Sequence, residues 1–371
     1  MNLKNQNILY FARTMQLGGT ENVVIQLCEI FKPLVNKIIV CSCGGVNVEK
    51  LDLMGIKHYE IQDIEIKSPQ TVLSTLFILL KIVRKENISI IHTHHRMAAF
   101  YVSLLGLYRK CVFINTSHNT FDNKKWLTRF AYKHGNLIAC GIMVKKNLID
   151  YFLLPSNQIT VIHNAVRPFA GPIIKDDLMS SLRNQGSFIV GNVGRLSEQK
   201  GMEYFIKAIP EIVVKHSNVR FVIVGVGEDE QKLNNLVQKL KINEYVTFMG
   251  YRDDIQNLMS QMDIVVLCSL WEGLPLTPIE AFSVGKTIVA TAVDGTVEIV
   301  RDGVEGCLIP PKSVHDIASK VNLLIENPKL RFEYETQSSE RYQREFSFDK
   351  FTKEYINYYE RLNRDGIQNA Y

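Results

Sequence analysis

Trp271-Glu272-Gly273-Leu274-Pro275-Leu276-Thr277-Pro278-Ile279-Glu280 sets two carboxylates eight positions apart around a Gly-Leu-Pro-Leu-Thr turn. The run before it, Asp263-Ile264-Val265-Val266-Leu267-Cys268, reads as a buried parallel strand, and Ile279 to Val284 reads as the first turns of a helix. A strand that turns through Gly and Pro into a helix leaves N–H groups unpaired at the helix start, and these attract an anion. Glu272 precedes the turn and Glu280 lies a turn or two into the helix, so both can flank one ligand. A ligand with phosphate between two hydroxyl-rich ends suits them, and a nucleotide sugar has that form. Either glutamate alone reads as an ordinary solvated acid favoured by the helix dipole. The string taken whole does not.

Outward from this stretch, the chain alternates strand and helix patterns. Upstream lie a strand at 187–193, a helix at 202–215, a strand at 220–224, a helix at 228–240, a strand at 246–248 and a helix at 255–261. Short strands at 287–290 and 306–309 follow. The first half repeats the theme, with apolar, β-branched runs at 7–12, 37–41, 88–92, 112–115 and 136–140, and helical spacing at 21–31, 69–85, 96–108 and 125–134. Such alternation implies parallel sheets with helices on both faces. Arg167-Pro168-Phe169-Ala170-Gly171-Pro172 interrupts regular structure between the halves. At 371 residues the chain exceeds the usual single domain. The expected fold class is α/β, with two doubly wound, Rossmann-like domains at 1–170 and 171–347 and a Tyr- and Phe-rich terminal helix within 348–371.

Several βα junctions carry chemistry-bearing residues. Gly194-Arg195-Leu196-Ser197-Glu198-Gln199-Lys200-Gly201 follows a strand and precedes a helix, and Arg195 and Lys200 can converge on a diphosphate. Two solvated bases on a surface loop is the plainer reading of the same segment. Leu17-Gly18-Gly19-Thr20-Glu21 opens the first helix, where glycines permit close backbone approach. It lacks Gly-x-Gly-x-x-Gly, which argues against a dinucleotide fingerprint. His118 lies just past a strand, where such folds place ligand groups. His92, His94 and His95 suggest a metal cluster, but no acid-rich Asp-x-Asp motif accompanies them and a metal is rejected.

Composition narrows the classes. Hydrophobic content of 46% and charged content of 22% are ordinary for a soluble globular protein. The seven cysteines form no zinc spacing and read as buried free thiols in a reducing cytoplasm. No secretion signal is evident, and the longest apolar stretch, 72–83, is too short to span a bilayer. Residues 1–170 hold 20 Lys and Arg against 10 Asp and Glu, so the rest hold 23 against 28. No nucleic-acid-binding signature accompanies the basic half, and nucleic acid is not expected as a partner. An anionic membrane surface or a pyrophosphate-linked lipid fits better. The segment Phe121–Lys133 mixes bases with Trp126 and Phe130, as either a solvated helix or a membrane-surface helix would.

The 271–280 string resembles the Glu-x7-Glu signature of the family 4 retaining glycosyltransferases, which have the two-domain GT-B fold with a central cleft. Gly194–Gly201 is similar to that family's Gly-Arg-x-x-x-x-Lys-Gly phosphate loop. The resemblance covers essentially the whole chain, strongly over 187–310 and more weakly before. Ile162-His163-Asn164-Ala165-Val166 departs from the family's Pro-Asn-Gly-Val turn, with His163 and Ala165 replacing Pro and Gly.

The resemblance implies a metal-independent, cofactor-free hexosyl- or N-acetylhexosaminyl-transferase acting with retention, by front-face attack. Its donor would be a nucleotide sugar, UDP-linked or alternatively GDP-linked, and its acceptor a sugar or lipid-linked oligosaccharide in capsule, exopolysaccharide or O-antigen type biosynthesis. The first domain would hold the acceptor, and the terminal helix would cross back to it. Glu280 would hold the ribose, while Leu276 and Thr277 amides with Arg195 and Lys200 would hold the diphosphate. Glu272, Gly273 and Leu274 would face the transferred sugar, with His118 approaching it from the other domain. Gly18 and Gly19 would border the donor phosphates, Gly250, Tyr251 and Arg252 the nucleobase, and His92, His94 and His95 the acceptor. The chain would work in the cytoplasm, peripherally at the inner face of the cell membrane. A non-hydrolysing sugar-nucleotide epimerase and a non-catalytic nucleotide-sugar-binding protein are the rivals. The first would show a further acidic pair, and the second would have lost part of the Arg195, Lys200, Glu272 and Glu280 set.

Overall fold

Two parallel sheets organise a computed structural model of the chain, which describes residues 3–368 and their side chains as far as 362. The first contains β1 (Asn7–Phe11), β2 (Lys37–Ser42), β3 (Lys57–Glu60), β4 (Ile90–Thr93), β5 (Val112–Ser117), β6 (Asn136–Ala139) and β7 (Ile159–Val161), in the order β3-β2-β1-β4-β5-β6-β7. The second contains β8 (Phe188–Val193), β9 (Val219–Val224), β10 (Val246–Phe248), β11 (Ile264–Leu267), β12 (Ile288–Thr291) and β13 (Gly306–Ile309), in the order β10-β9-β8-β11-β12-β13. The central strands are covered on both faces, which is why they read as unbroken apolar runs.

In each sheet the order reverses once, between β1 and β4 and between β8 and β11. A reversal sends the two following connections to opposite faces and opens a crevice at the carboxyl ends of the strands. The loops leaving β8 and β11 are Gly194–Gly201 and Ser269–Pro275. The fold therefore puts the two motif-bearing loops side by side. Beneath them, Val190, Phe205, Phe221, Ile264 and Val289 belong to one buried apolar cluster, with Phe205 edge-on to Phe221 at 5.7 Å.

The chain divides into one unit of Met1–Asn164 with Phe351–Tyr371 and another of Ala165–Lys350. The first division falls at 164, earlier than the 170 set by the Pro/Gly-rich linker. Local bonding explains the offset: Val166 O accepts from Tyr342 Oη at 2.8 Å, and Arg167 O accepts from Gln256 Nε2 at 2.8 Å. The Arg167 guanidinium also lies 3.9 Å from the centre of the Phe348 ring. The helix Phe348–Gln368 spans the second division, and its Tyr355 and Tyr359 are buried within the first unit. Tyr359 packs on Phe31 with ring centres 4.3 Å apart.

Several elements escape the sequence pattern. β3 is an edge strand of Lys57-His58-Tyr59-Glu60 with no apolar run, β7 has only three residues, and helices Val48–Leu53, Ile142–Asp150, Asp177–Asn184, Val314–Glu326 and Pro328–Arg341 also appear. The helix expected over 96–108 ends at Leu104, and Gly106 (φ 62) turns the chain into a short turn at Leu107–Arg109.

Candidate functional site

Three loops of the second unit are laced together at the carboxyl edge of its sheet. Gly194 N donates to Val224 O and Leu196 N to Val226 O, both at 3.0 Å, while Gly225 N donates to Gly250 O at 2.8 Å. Gly225 has φ 138, and a Cβ there would collide with Gly194 O, so only glycine serves. The Gly194–Gly201 loop is then clipped to the loop after β11. Leu270 N donates to Gln199 O at 2.8 Å, and Gln199 Nε2 donates to Trp271 O at 3.0 Å.

This clipping delivers Lys200 to Glu272. Lys200 Nζ lies 2.6 Å from Glu272 Oε1, and Ser269 Oγ donates to the same oxygen at 2.6 Å. Glu272 is only 6% exposed, and these two donors satisfy its Oε1. Oε2 has no partner among the described residues. Asp294 Oδ2 accepts from the Glu272 backbone N–H at 3.0 Å, and Thr291 Oγ1 donates to Ser269 O at 2.6 Å. Arg195 stands exposed on the same loop, while Lys200 turns inward to Glu272.

The helix Leu276–Ser283 begins at Pro275 with no side-chain cap and no acid in its first turn. Thr277 Oγ1 donates back to Val193 O at 3.4 Å, which anchors the helix start beside β8. Its first amides therefore form a positive end without a built-in partner. Glu280 sits one turn further, half-buried, with no hydrogen bond to its carboxylate among the described residues. Desolvation pushes its carboxyl up to about 7, against the opposing pull of Lys200. Lys200, Glu272 and Glu280 are thus brought into one electrostatic neighbourhood.

Gly250 turns the chain with φ 66, and Tyr251 is 52% exposed. Arg252 is committed elsewhere. Its guanidinium is held by Asp254 at 2.8 and 2.9 Å and by Asp176 at 2.8 Å. What this segment offers a ligand is backbone and the Tyr251 ring, and Arg252 is a clamp inside the unit.

In the first unit, Gly18 begins the helix Gly19–Phe31, which also has no side-chain cap. A Cβ at Gly18 would collide with Glu21, whose carboxylate folds back to accept from Thr14 Oγ1 at 2.5 Å. The histidines separate into distinct roles. His92 is fully buried, with Nδ1 at 2.7 Å from Tyr359 Oη and Nε2 at 2.7 Å from Thr116 Oγ1. Both ring nitrogens are taken, so His92 is a core residue, a correction to its grouping with ligand-facing histidines. His95 caps the helix Arg96–Leu104 by accepting from Met97 N at 3.2 Å, and its Nε2 lies 3.5 Å from Glu65. His94 Nδ1 meets His118 Nε2 at 3.1 Å, the rings stacked with centres 5.4 Å apart. His118 is half-buried, and burial lowers it to about 4, so the imidazole is neutral. Among the described residues, no group of three His, Cys, Asp or Glu is placed to hold a metal ion.

Ser269, Thr291 and Asp294 are the site residues that sequence reading missed. Each lies at or just past the carboxyl end of β11 or β12, where doubly wound folds concentrate ligand groups, and that placement is the signal that could have found them.

Two family models match the chain: Glycosyltransferase Family 4 over residues 17–168, and Glycosyl transferases group 1 over residues 174–341. The chain is 31% identical over 275 residues to UDP-Gal:alpha-D-GlcNAc-diphosphoundecaprenol alpha-1,3-galactosyltransferase of Escherichia coli, covering 68% of this chain and 70% of that one. It is 25% identical over 351 residues to an uncharacterized glycosyltransferase of Methanocaldococcus jannaschii, covering 87% and 89%. Among solved structures, a glycosyltransferase from Rickettsia africae superposes with a TM-score of 0.84 at 21% identity, over 96% of this chain and 99% of that one. The Anabaena protein HepE in complex with UDP superposes with a TM-score of 0.81 at 20% identity, over 96% and 100%. These structural neighbours share the GT-B fold of two Rossmann-like domains.

Proposed function

The chain belongs to the family 4 glycosyltransferases, and on that premise we propose that it moves a sugar, with retention, from a UDP-sugar to a lipid-linked sugar in cell-surface polysaccharide assembly. The observation that carries the donor reading is the pairing of Lys200 with Glu272 beside an uncapped helix start and the unpartnered Glu280. Glu280 takes the ribose hydroxyls, because an ionised carboxylate can accept from both. The Leu276 and Thr277 amides, with Lys200 and the exposed Arg195, take the diphosphate. Glu272 Oε2, turned away from its internal donors, takes hydroxyls of the transferred sugar. UDP is favoured over GDP because the Escherichia coli relative uses UDP-Gal and HepE binds UDP. The diphosphoundecaprenol acceptor of that same relative supports a lipid-linked acceptor, held by the first unit on the side of His94 and His95, while His118 approaches the transferred sugar and Gly18 and Gly19 border the donor phosphates.

No side chain in this set is placed as an obvious nucleophile, so retention is assigned to front-face attack, with the departing phosphate oxygen taking the acceptor proton. Stabilising the charge that develops on the diphosphate is then the main catalytic contribution. Lys200, Arg195 and the helix start supply that stabilisation, and a divalent cation is not required. The test is hydrolysis of UDP-glucose, UDP-galactose and UDP-N-acetylglucosamine with and without excess EDTA, alongside GDP-mannose. Turnover of a UDP-sugar that survives chelation is expected. Turnover restored only by Mg²⁺ or Mn²⁺ would overturn the charge assignment, and preference for GDP-mannose would overturn the nucleobase.

A further inference from the structure

Asp294 stands in the left-handed region, which few residues other than Gly, Asn and Asp enter. Its φ is 36, one of six non-glycine positive φ values among the described residues. Such backbone persists only where the surroundings over-determine it, and it gathers at functional sites. The surroundings here are specific. Asp294 follows β12 and uses Oδ2 to accept the backbone N–H of Glu272 at 3.0 Å. The next residue, Gly295, packs so tightly on the same turn that a Cβ would collide with Gly273 O and crowd Leu274 Cα. The Asp294-Gly295 pair is therefore seated directly on Glu272-Gly273-Leu274. A second strut comes from the same strand, since Thr291 Oγ1 holds Ser269 O and Ser269 Oγ holds the Glu272 carboxylate.

We propose that Asp294 is a positioning residue for the sugar end of the donor site: it fixes the main chain of Glu272 so that Oε2 keeps its aim while Oε1 is held by Lys200 and Ser269. This rests on the donor-site reading above. Asp294 bonds to the turn that carries Glu272 and makes no hydrogen bond to Glu280 or to the Leu276 helix start among the described residues. Its loss should weaken recognition of the sugar while sparing the nucleoside diphosphate.

Three substitutions separate this role from a merely structural one. Asp294→Gly removes the acceptor but suits the positive φ, so the melting temperature should move by no more than a few degrees. Asp294→Asn keeps a carbonyl acceptor and tolerates the left-handed region. Asp294→Ala loses the acceptor and keeps the backbone strain. Calorimetry with UDP and with UDP-glucose, UDP-galactose or UDP-N-acetylglucosamine, whichever the wild type hydrolyses fastest, is the measurement. The expected result for Asp294→Gly is less than twofold change for UDP, about tenfold weaker UDP-sugar binding and a matching fall in donor hydrolysis, with Asp294→Asn close to wild type. Equal losses for UDP and UDP-sugar, or unchanged hydrolysis in Asp294→Gly, would overturn the assignment alone. A wild type that neither binds UDP nor hydrolyses any of the three donors would overturn the donor-site reading, and is seen before any variant is made.

Discussion

Glu280 is a desolvated carboxyl with no hydrogen-bond donor of its own among the described residues, and its protonation should be visible in ligand binding. Burial holds it near 7, where the neutral form is substantially populated. A ribose diol that donates two hydrogen bonds selects the ionised form, so binding should release a proton. UDP-glucose suits the test because its diphosphate diester does not itself titrate in this range. Affinity is expected to be up to about tenfold weaker at pH 6 than at pH 8. Glu280→Gln should bind more weakly at pH 8 and lose the pH dependence. A flat calorimetric profile in the wild type would reduce Glu280 to a helix-start acid. The sign for stability is opposite: a raised carboxyl favours the fold below the ordinary carboxylate range, and that contribution is lost as pH rises through about 7.

The loops after β8 and β11 act as a pair, and this changes what two similar substitutions should do. Arg195 is exposed, so Arg195→Ala should lower donor turnover with little effect on the melting temperature. Lys200 is the counter-ion of a buried carboxylate, with side-chain exposures of 18% and 7%. Removing one partner of a buried pair costs on the order of 3–5 kcal/mol, and this partly open pair belongs at the lower end. Lys200→Ala should therefore lose stability as well as turnover, the latter by ~2–4 kcal/mol of barrier. Lys200→Ala/Glu272→Gln should regain the melting temperature and not the turnover. Near-normal donor hydrolysis in both single variants would remove the diphosphate assignment.

The same elements explain what could be read in advance. The loops at 194–201 and 271–280 are legible because turn residues and charged residues sit together in short contiguous strings flanked by apolar strands. β3 was illegible because an edge strand made of Lys57, His58, Tyr59 and Glu60 carries no apolar run. The helix Pro328–Arg341 hides for a related reason, since only Tyr334, Ser338 and Arg341 are buried. His92 misled because its partners, Thr116 and Tyr359, lie 24 and 267 residues away. Asp294 and Thr291 each meet their partners 22 residues away, a separation that periodicity cannot register.

At the scale of the whole molecule, docking of the first unit on a membrane is a proposal that charge and exposure motivate. No helix among the described residues is long and apolar enough to cross a bilayer. The helix Lys125–Tyr132 buries Thr128, Ala131 and Tyr132, leaving Trp126 79% and Phe130 38% exposed among Lys124, Arg129 and Lys133. Aromatic rings with bases beside them suit a headgroup layer. Each basic residue near an anionic surface adds ~1 kcal/mol, and salt screens it. Flotation with anionic liposomes at low salt, lost at high salt and weakened by Lys124→Glu/Lys125→Glu, is the expected outcome. A wild type that stays at the bottom of the low-salt gradient, or a charge reversal without effect, would make this an ordinary solvated helix.

The helix that spans the division at Lys350 also ties completion of the first unit to the emergence of residues 351–359 from the ribosome. Residues 165–350 form a contiguous unit and can close as soon as they have emerged. The first unit cannot, although it is synthesised first, because Tyr355 and Tyr359 fill its core and Tyr359 supplies the partner of His92 Nδ1. Its seven strands must wait, incompletely packed, through the translation of nearly two hundred further residues. At about 5–20 residues per second that is an exposure of roughly ten to forty seconds. The first unit is therefore the one held open longest, and the interval before the terminal helix emerges is when the nascent chain most needs protection from aggregation.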